Sequence, residues 1–522
     1  MPPKKFRFLS SALLATVAVI LSAVLFVRHW HLLSQARVSA AQNSAAASSP
    51  EPAAAQLPPG TITFTAKATT TAIFLARKNL TESSFMTVAE FEDAIRKANG
   101  GKATFQRGET ALIPGMEPQP VVEKSRPFAK DTEIRAVYLT GTTAGSAKGI
   151  ELIRRWHEAG GNAVVFDIKD SDGGINVPFV HPLERKNQYH PISNLPKFVR
   201  FIHSLDMHAI ARQALFRDDN IAKNHGALAV QSRSLHQPWR ENGKLVWADS
   251  SNKEVQDYNL ALAKYVAGSG ADEIQFDYVR FPAEGNQGDA QFTFEKDPKL
   301  QRADVIANFL DRAYSELHPM GVLVSLDVFG IMAWQRQVDL RHTGQDIVKM
   351  AQHCDVISPM IYPSHFFGMD NYKVPGDAPE HFIGMSMDRF VKITAGSGVV
   401  LRPWLQAFRW RTPSYSPEYI LKQVSTAKQH GGDGFLFWNA GNDYSKPFAA
   451  MPVMMAHPQT YLWTPPTVVA KNGPAPIEQG KEADTKDKGA RDQDVKDKDK
   501  DVKEKDAKGK DKEQSAANGD RR

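Results

Sequence analysis

The sequence predicts an α/β fold built as a (β/α)8 barrel. Three observations carry that expectation. Apolar strands alternate with amphipathic helices through residues 129–465. Eight such strands fall within about 310 residues, the usual size of one barrel. Several strands also carry polar groups near their carboxyl ends, where parallel α/β folds keep their chemistry. A doubly wound open sheet shares the alternation, but no glycine fingerprint follows the first strand.

The elements follow in order. Residues 134–139 form the first strand, and the helix over 147–159 places Leu152, Ile153, Trp156 and Ala159 on one side. The second strand spans 163–168, the next helix 195–205 and the third strand 209–215. A helix over 254–267 leads to the fourth strand at 273–279. The helix over 303–317 spaces Val305, Ile306, Phe309, Ala313, Tyr314 and Leu317 for one buried face, and the fifth strand lies at 322–328. Apolar runs at 356–362 and 401–407 supply the sixth and seventh strands; a helix over 417–429 and a strand at 434–438 complete the count.

Read at period 2, the fourth strand puts Ile274, Phe276 and Tyr278 on one side and Glu273, Gln275 and Asp277 on the other. Arg280 and Pro282 then end it, leaving Asp277 near its carboxyl end. The second strand directs Asp167 and Lys169 inward, with Asp170 in the loop beyond. The fifth directs Ser325 and Asp327 inward. Gln406 ends the seventh, and Trp438 and Asn439 end the eighth. Polar groups therefore gather on one rim, the top of a barrel cup.

Asp277 and Asp327, on neighbouring strand ends, suit glycosidic cleavage. One acts as nucleophile or base, and the other keeps a proton because like charges repel. Adjacent strands lie about 5 Å apart, which permits the retaining carboxyl separation of roughly 5–5.5 Å. The structural alternatives are a salt bridge from Asp277 to Arg280 or Arg212, and a loop-capping role for Asp327. Asp167 with Lys169 reads as an ion pair that positions substrate or the neighbouring acids. Tyr138, Tyr278, Tyr362, Trp404 and Trp438 offer flat faces for pyranose rings around the rim. His203, His208 and His365 lack the spacing of a metal motif, and no serine sits in a nucleophile elbow, so neither metal nor cofactor is expected. The single cysteine, Cys354, excludes an intrachain disulfide and reads as a buried thiol.

The ends differ in composition from the middle. Residues 8–27 are apolar and uncharged, long enough for a bilayer core, and Lys4, Lys5 and Arg7 precede them. Residues 1–30 are thus expected to be a cytoplasmic stub with a transmembrane anchor that leaves the main domain extracytoplasmic; a cleaved signal peptide, giving a secreted protein, is the alternative. Residues 31–60, rich in Ala, Ser and Pro, read as a flexible linker, and residues 466–522, rich in Lys, Asp and Glu, as a disordered tail. Net charge is +6, with 64 basic against 58 acidic residues and no basic stripe, which argues against nucleic acid as a partner.

Two resemblances follow from motifs. Residues 61–128 read as a small β-α-α-β module ending in "ALIPG" and resemble the LysM peptidoglycan-binding module, with Lys67-Ala68-Thr69-Thr70 where the usual Gly-Asp-Thr turn stands. The alternative is a structural spacer. Residues 133–463 resemble the "putative glycosyl hydrolase" barrel family through "RAVYLTG" at 135–141, "NAVVFDIKD" at 162–170, "EIQFDYVRFP" at 273–282, "SLDVFG" at 325–330, "SPMIYPSH" at 358–365 and "GFLFWNA" at 434–440. That resemblance implies an α/β barrel related to polysaccharide-cleaving enzymes, with Asp277 at the proposed catalytic position. "RQALFRDD" at 212–219 departs from the family pattern and leaves the rim near the third strand open.

The expected protein is a membrane-anchored glycoside hydrolase facing the cell envelope and acting on peptidoglycan, another cell-wall polymer or an exopolysaccharide. Asp277 and Asp327 would be catalytic. Asp167, Lys169, Asp170, Tyr278, Arg280, Tyr362, Gln406, Trp438 and Asn439 would bind substrate or support the acids. The rival is a glycan-binding or scaffolding protein that keeps the barrel without turnover.

Overall fold

The computed structural model describes residues 57–127 and 129–462. The apolar run at 8–27, the linker up to residue 56 and the tail at 466–522 lie outside the described residues. Among the described residues no helix is long and apolar enough to cross a membrane.

Eight parallel strands close into a barrel in chain order. They are Arg135–Leu139, Ala163–Lys169, His208–Ala214, Glu273–Asp277, Leu323–Phe329, Val356–Met360, a seventh in two pieces, Val400–Leu401 and Trp404–Gln406, and Phe435–Trp438. Pairing of the eighth with the first, Leu436 beside Ala136, completes the ring, which also runs through the fifth and sixth, Asp327 beside Ser358. The seventh strand is interrupted where one continuous run is expected, because Pro403 has no N–H to give to the ladder. The fourth stops at Asp277, short of residue 279, since Tyr278 adopts φ +52° in the left-handed region.

The period-2 alternation divides the core in two. Ala136, Tyr138, Ala163, Val165, Ile210, Trp404 and Leu436 pack inside the barrel. Their alternating neighbours Val137, Val164, Phe166, Ala211, Ile274 and Phe276 pack outward against the helices. Burying each large aliphatic or aromatic side chain contributes about 1.5–3 kcal/mol. The surrounding helices include Ala147–Glu158, Leu195–Ser204, Lys253–Gly268, Arg302–Leu317, Pro379–Ile393 and Pro417–Gln429. Ser146 caps the first by accepting from Gly149 N–H, and Ser416 with Pro417 opens the last.

Polar side chains also fill the barrel floor. Arg402 Nη1 donates to Glu273 Oε2 at 2.8 Å, and His208 Nε2 lies 3.1 Å from the same oxygen. Burial pushes the Glu273 carboxyl up, but Arg402 and His208 outweigh it and hold the group at about 2.

The N-terminal elements add a short strand pair, Thr70–Thr71 with Thr104–Phe105, to the expected β-α-α-β order, so the first helix begins at Ala72. Ile62–Thr65 pairs antiparallel with Thr110–Ile113, and helices Ala72–Asn79 and Val88–Ala98 lie between them in the chain. Leu75, Phe91, Ile95, Phe105 and Ile113 form their own small core, and Thr87 and Glu90 make a capping box. This unit is tied to the barrel by Arg154 with Glu90, and by Lys197, whose ammonium donates to Leu80 O.

Candidate active site

The third strand supplies the hub of the site. His208, Ile210 and Arg212 alternate inward, and the register sets Arg212 beside Asp167 of the second strand and Gln275 of the fourth. Arg212 therefore reaches acids on three strands. Nη1 donates to Asp167 Oδ1, Nη2 donates to Asp277 Oδ2, and Nε stands 3.6 Å from Asp327 Oδ2. The remaining acid oxygens also have donors. Tyr138 OH donates to Asp167 Oδ2, Trp404 Nε1 donates to Asp327 Oδ1 at 2.6 Å, and the Tyr278 N–H donates to Asp277 Oδ1. The Tyr138 and Trp438 rings stack with centroids 4.1 Å apart, and the Arg212 guanidinium lies 5.6 Å and 5.1 Å from them.

Three buried acids share one cation. Asp277 is 7% exposed, Asp327 1% and Asp167 0%. Burial, reinforced by Asp277, raises the Asp327 carboxyl well above the ordinary range despite Arg212 and the Trp404 hydrogen bond. Burial, with Asp170 adding to it, likewise raises Asp167 against the pull of Arg212. The Tyr362 phenol is pushed up by burial and then by Asp327 and Asp277. Burial thus favours the protonated form at Asp327 and Asp167, beside an Asp277 bound by the same guanidinium. One guanidinium approaches both Asp277 and Asp327, so the two acids of neighbouring strands face the same cation.

Several expected side chains take other partners. Lys169 does not meet Asp167. Its ammonium pairs with Asp218 at 2.7 Å and donates to Ala214 O at 3.0 Å and Asn259 Oδ1 at 3.1 Å, toward the helix layer. The pairing register shifts between Asp167 and Lys169, and a one-residue irregularity reverses the faces beyond it. Asp170 accepts from Asn176 Nδ2 at 3.2 Å at the rim. Gln406 is occupied with loops: Oε1 accepts from Ser364 N–H, and Nε2 donates to Phe408 O and Thr412 Oγ1. Asn439 Nδ2 donates to Ala407 O at 2.6 Å and Asp443 O at 3.0 Å, bracing the turn after the eighth strand. Arg280 forms no ion pair with Asp277; Arg212 does. The Asp277–Arg212 salt bridge offered from sequence as a structural alternative is formed; that Arg212 also holds Asp167 and approaches Asp327 was not foreseen, although its inward place at period 2 was readable. The donor roles of Tyr138 and Trp404 had no local signal.

A cleft of about 600 Å³ opens between the fifth- and sixth-strand loops, walled by Phe329, Met360, Tyr362, His365, Phe366 and Glu284; Asp167, Asp277 and Asp327 are not in its lining. Its volume is that of a ligand site. Tyr362 belongs both to this wall and to the barrel interior near the acids. Among the described residues no cluster of three or more His, Cys, Asp or Glu is placed to hold a metal ion.

A closed parallel barrel with acids at its carboxyl rim defines an α/β-barrel protein. The chain matches the family described as "Putative glycosyl hydrolase domain" over residues 136–444 and belongs to that family. Among solved structures it is similar to a hypothetical protein from Ruminiclostridium thermocellum, with 32% identity over 37% of this chain and 97% of that one, at a TM-score of 0.33. It is also similar to the PgaB (BpsB) glycoside hydrolase domain from Bordetella bronchiseptica, with 14% identity, 64% and 99% coverage and a TM-score of 0.47. A chitinase from Chromobacterium violaceum matches at 14% identity, 62% and 99% coverage and a TM-score of 0.40. No curated protein matches the chain.

Proposed function

We propose that this glycoside hydrolase cuts a polysaccharide of the cell envelope, with Asp277 as nucleophile or base and Asp327 as general acid. One observation carries the reading: Arg212 joins Asp277 and Asp327 in a single buried cluster in which Asp327 is driven toward its protonated form. Asp277 accepts a hydrogen bond on each oxygen, from Arg212 Nη2 and from the Tyr278 N–H. Asp327 would protonate the leaving glycosidic oxygen while Asp277 attacks the anomeric carbon or activates water. Asp167 and Tyr138 hold Arg212 from the other side, and Trp438 stacks on Tyr138 beneath the same guanidinium.

The apolar run at 8–27 behind Lys4, Lys5 and Arg7 supports a membrane anchor with the barrel outside the cytoplasm. The β-α-α-β unit supports a second grip on a wall glycan. One observation favours a second reading, a non-catalytic glycan-binding protein: Asp327 is 1% exposed, which leaves little room for a glycosidic oxygen to approach it.

Asp277→Asn separates the two. The hydrolase reading expects release of product from wall glycan to fall by roughly 10²–10⁴-fold with polysaccharide pull-down retained. If the wild type binds polymers from a broad panel but cuts none, the hydrolase reading fails.

A further inference from the structure

Two arginines stand on the ring of Tyr278, the residue after Asp277. The Arg280 guanidinium carbon lies 5.3 Å from the ring centroid and that of Arg217 5.6 Å from it. Arg280 is 9% exposed and framed by Trp247 at 4.8 Å and Phe329 at 4.4 Å, with Nη1 donating to Phe281 O at 3.0 Å. Arg217 donates to Ser171 Oγ at 2.8 Å. Among the described residues neither guanidinium forms an ion pair with a carboxylate. The nearby Asp277 is already engaged by Arg212.

Such a pair is expensive in isolation. Burial lowers the Arg280 pKa and Arg217 lowers it further, although Tyr278, Asp277 and Glu241 act the other way. Tyr278 itself is held at φ +52°, a backbone state that an aromatic residue seldom adopts without surrounding structure to enforce it. The strained turn sets the ring beside both arginines and against Trp247, 6.2 Å away. Phe329, under Arg280, is also a wall of the 600 Å³ cleft. Glu284 lines the cleft, and Asp277 and Glu241 act on Arg280 without forming an ion pair with it; two guanidiniums on one ring beside such a cleft still leave donors that suit an anion.

We infer that Arg280 and Arg217 form a subsite for an anionic substituent on the sugar polymer, next to the bond cut at Asp277. The inference rests on the hydrolase reading for the kind of ligand. A planar guanidinium accepts a sugar carboxylate in a two-point contact and would also accept a sulfate or phosphate ester.

Binding is measured on the full chain carrying Asp277→Asn, so that turnover does not enter. Oligomers of glucuronate, galacturonate and mannuronate and muramoyl-containing peptidoglycan fragments are compared with their carboxyl-reduced forms; sulfated and phosphorylated oligosaccharides form separate arms. At least one acidic oligomer is expected to bind about tenfold or more tighter than its neutral counterpart at low salt. Arg280→Met and Arg217→Met each remove that preference. Arg217 is the less buried of the two, so its variant guards against loss of fold at Arg280. A preference for the ester arms alone assigns the anion as sulfate or phosphate. Equal binding of every acidic and neutral pair, no binding in any acidic arm, or a preference unchanged in both variants overturns the subsite. Failure of the wild type to cut any polymer bears on the hydrolase reading alone, because the preference is read without cleavage.

Discussion

Arg212 on the third barrel strand donates through Nη2 to Asp277 on the fourth, and the same guanidinium holds Asp167 on the second. The site is therefore a cross-strand clamp. Removing the cation leaves buried acids unmatched, so Arg212→Met is expected to cost about 3–5 kcal/mol. Arg212→Lys should recover part of the stability but not activity, since a point charge cannot hold three acids in the geometry of a planar fork. Thermal melts of the two variants provide the check; a wild-type melt for Arg212→Met would mean that the clamp contributes nothing.

Asp327 is raised by burial and by Asp277, so it retains its proton above the ordinary carboxylate range. Hydrolysis should decline on the alkaline side as that proton leaves. Asp327→Asn should reduce cleavage of natural glycans by roughly 10²–10⁴-fold and flatten the alkaline limb. Aryl glycosides with an acidic phenol as leaving group need little protonation and should be spared most of the loss. Equal losses on both substrate types would remove Asp327 as the acid.

Glu273 sits at about 2 because Arg402 and His208 overcome its burial. A depressed carboxyl contributes stability that is present above its unfolded pKa and disappears as pH falls through the folded value. Urea midpoints of the wild type should therefore drop between about pH 4.5 and pH 2. Glu273→Gln should be less stable at pH 7 by about 3–5 kcal/mol, because Arg402 is left without its acid, and should converge with the wild type near the acid end. Parallel profiles would refute the assignment.

Asp433 shows the opposite sign. Its two oxygens are buried without a hydrogen-bond partner, and burial pushes its carboxyl up to about 7, with Glu133 and Asp131 adding to it and Arg402 opposing. The folded state holds this proton longer than the unfolded chain, so stability is complete below the unfolded pKa and declines as pH rises toward 7. Asp433→Asn should leave stability nearly unchanged at pH 4 and increase it at pH 8 by about 1–3 kcal/mol, read as a higher melting temperature. A variant less stable than the wild type at pH 8 would contradict this.

The barrel was legible because its signals are local. The order of strands and helices, the inward alternation of Glu273, Gln275 and Asp277, and the gathering of polar groups at strand ends all come from backbone periods of 2 and 3.6. Two expectations failed at irregularities, and Gln406 and Asn439 failed because loops far along the chain claim their polar groups. Lys169 follows a register shift, and Tyr278 leaves the strand with a positive φ, so alternation no longer told which way the next side chain turns.

The sequence by itself determined the eight-strand parallel barrel and placed Asp167, Asp277 and Asp327 at one end of it, since periodicity is a property of neighbours along the chain. Tertiary structure decided which groups meet. Arg212 touches acids from three strands, and Trp404 reaches Asp327 from a residue far along the chain. Those contacts depend on barrel closure and on the stagger of strands around it, which no local pattern encodes.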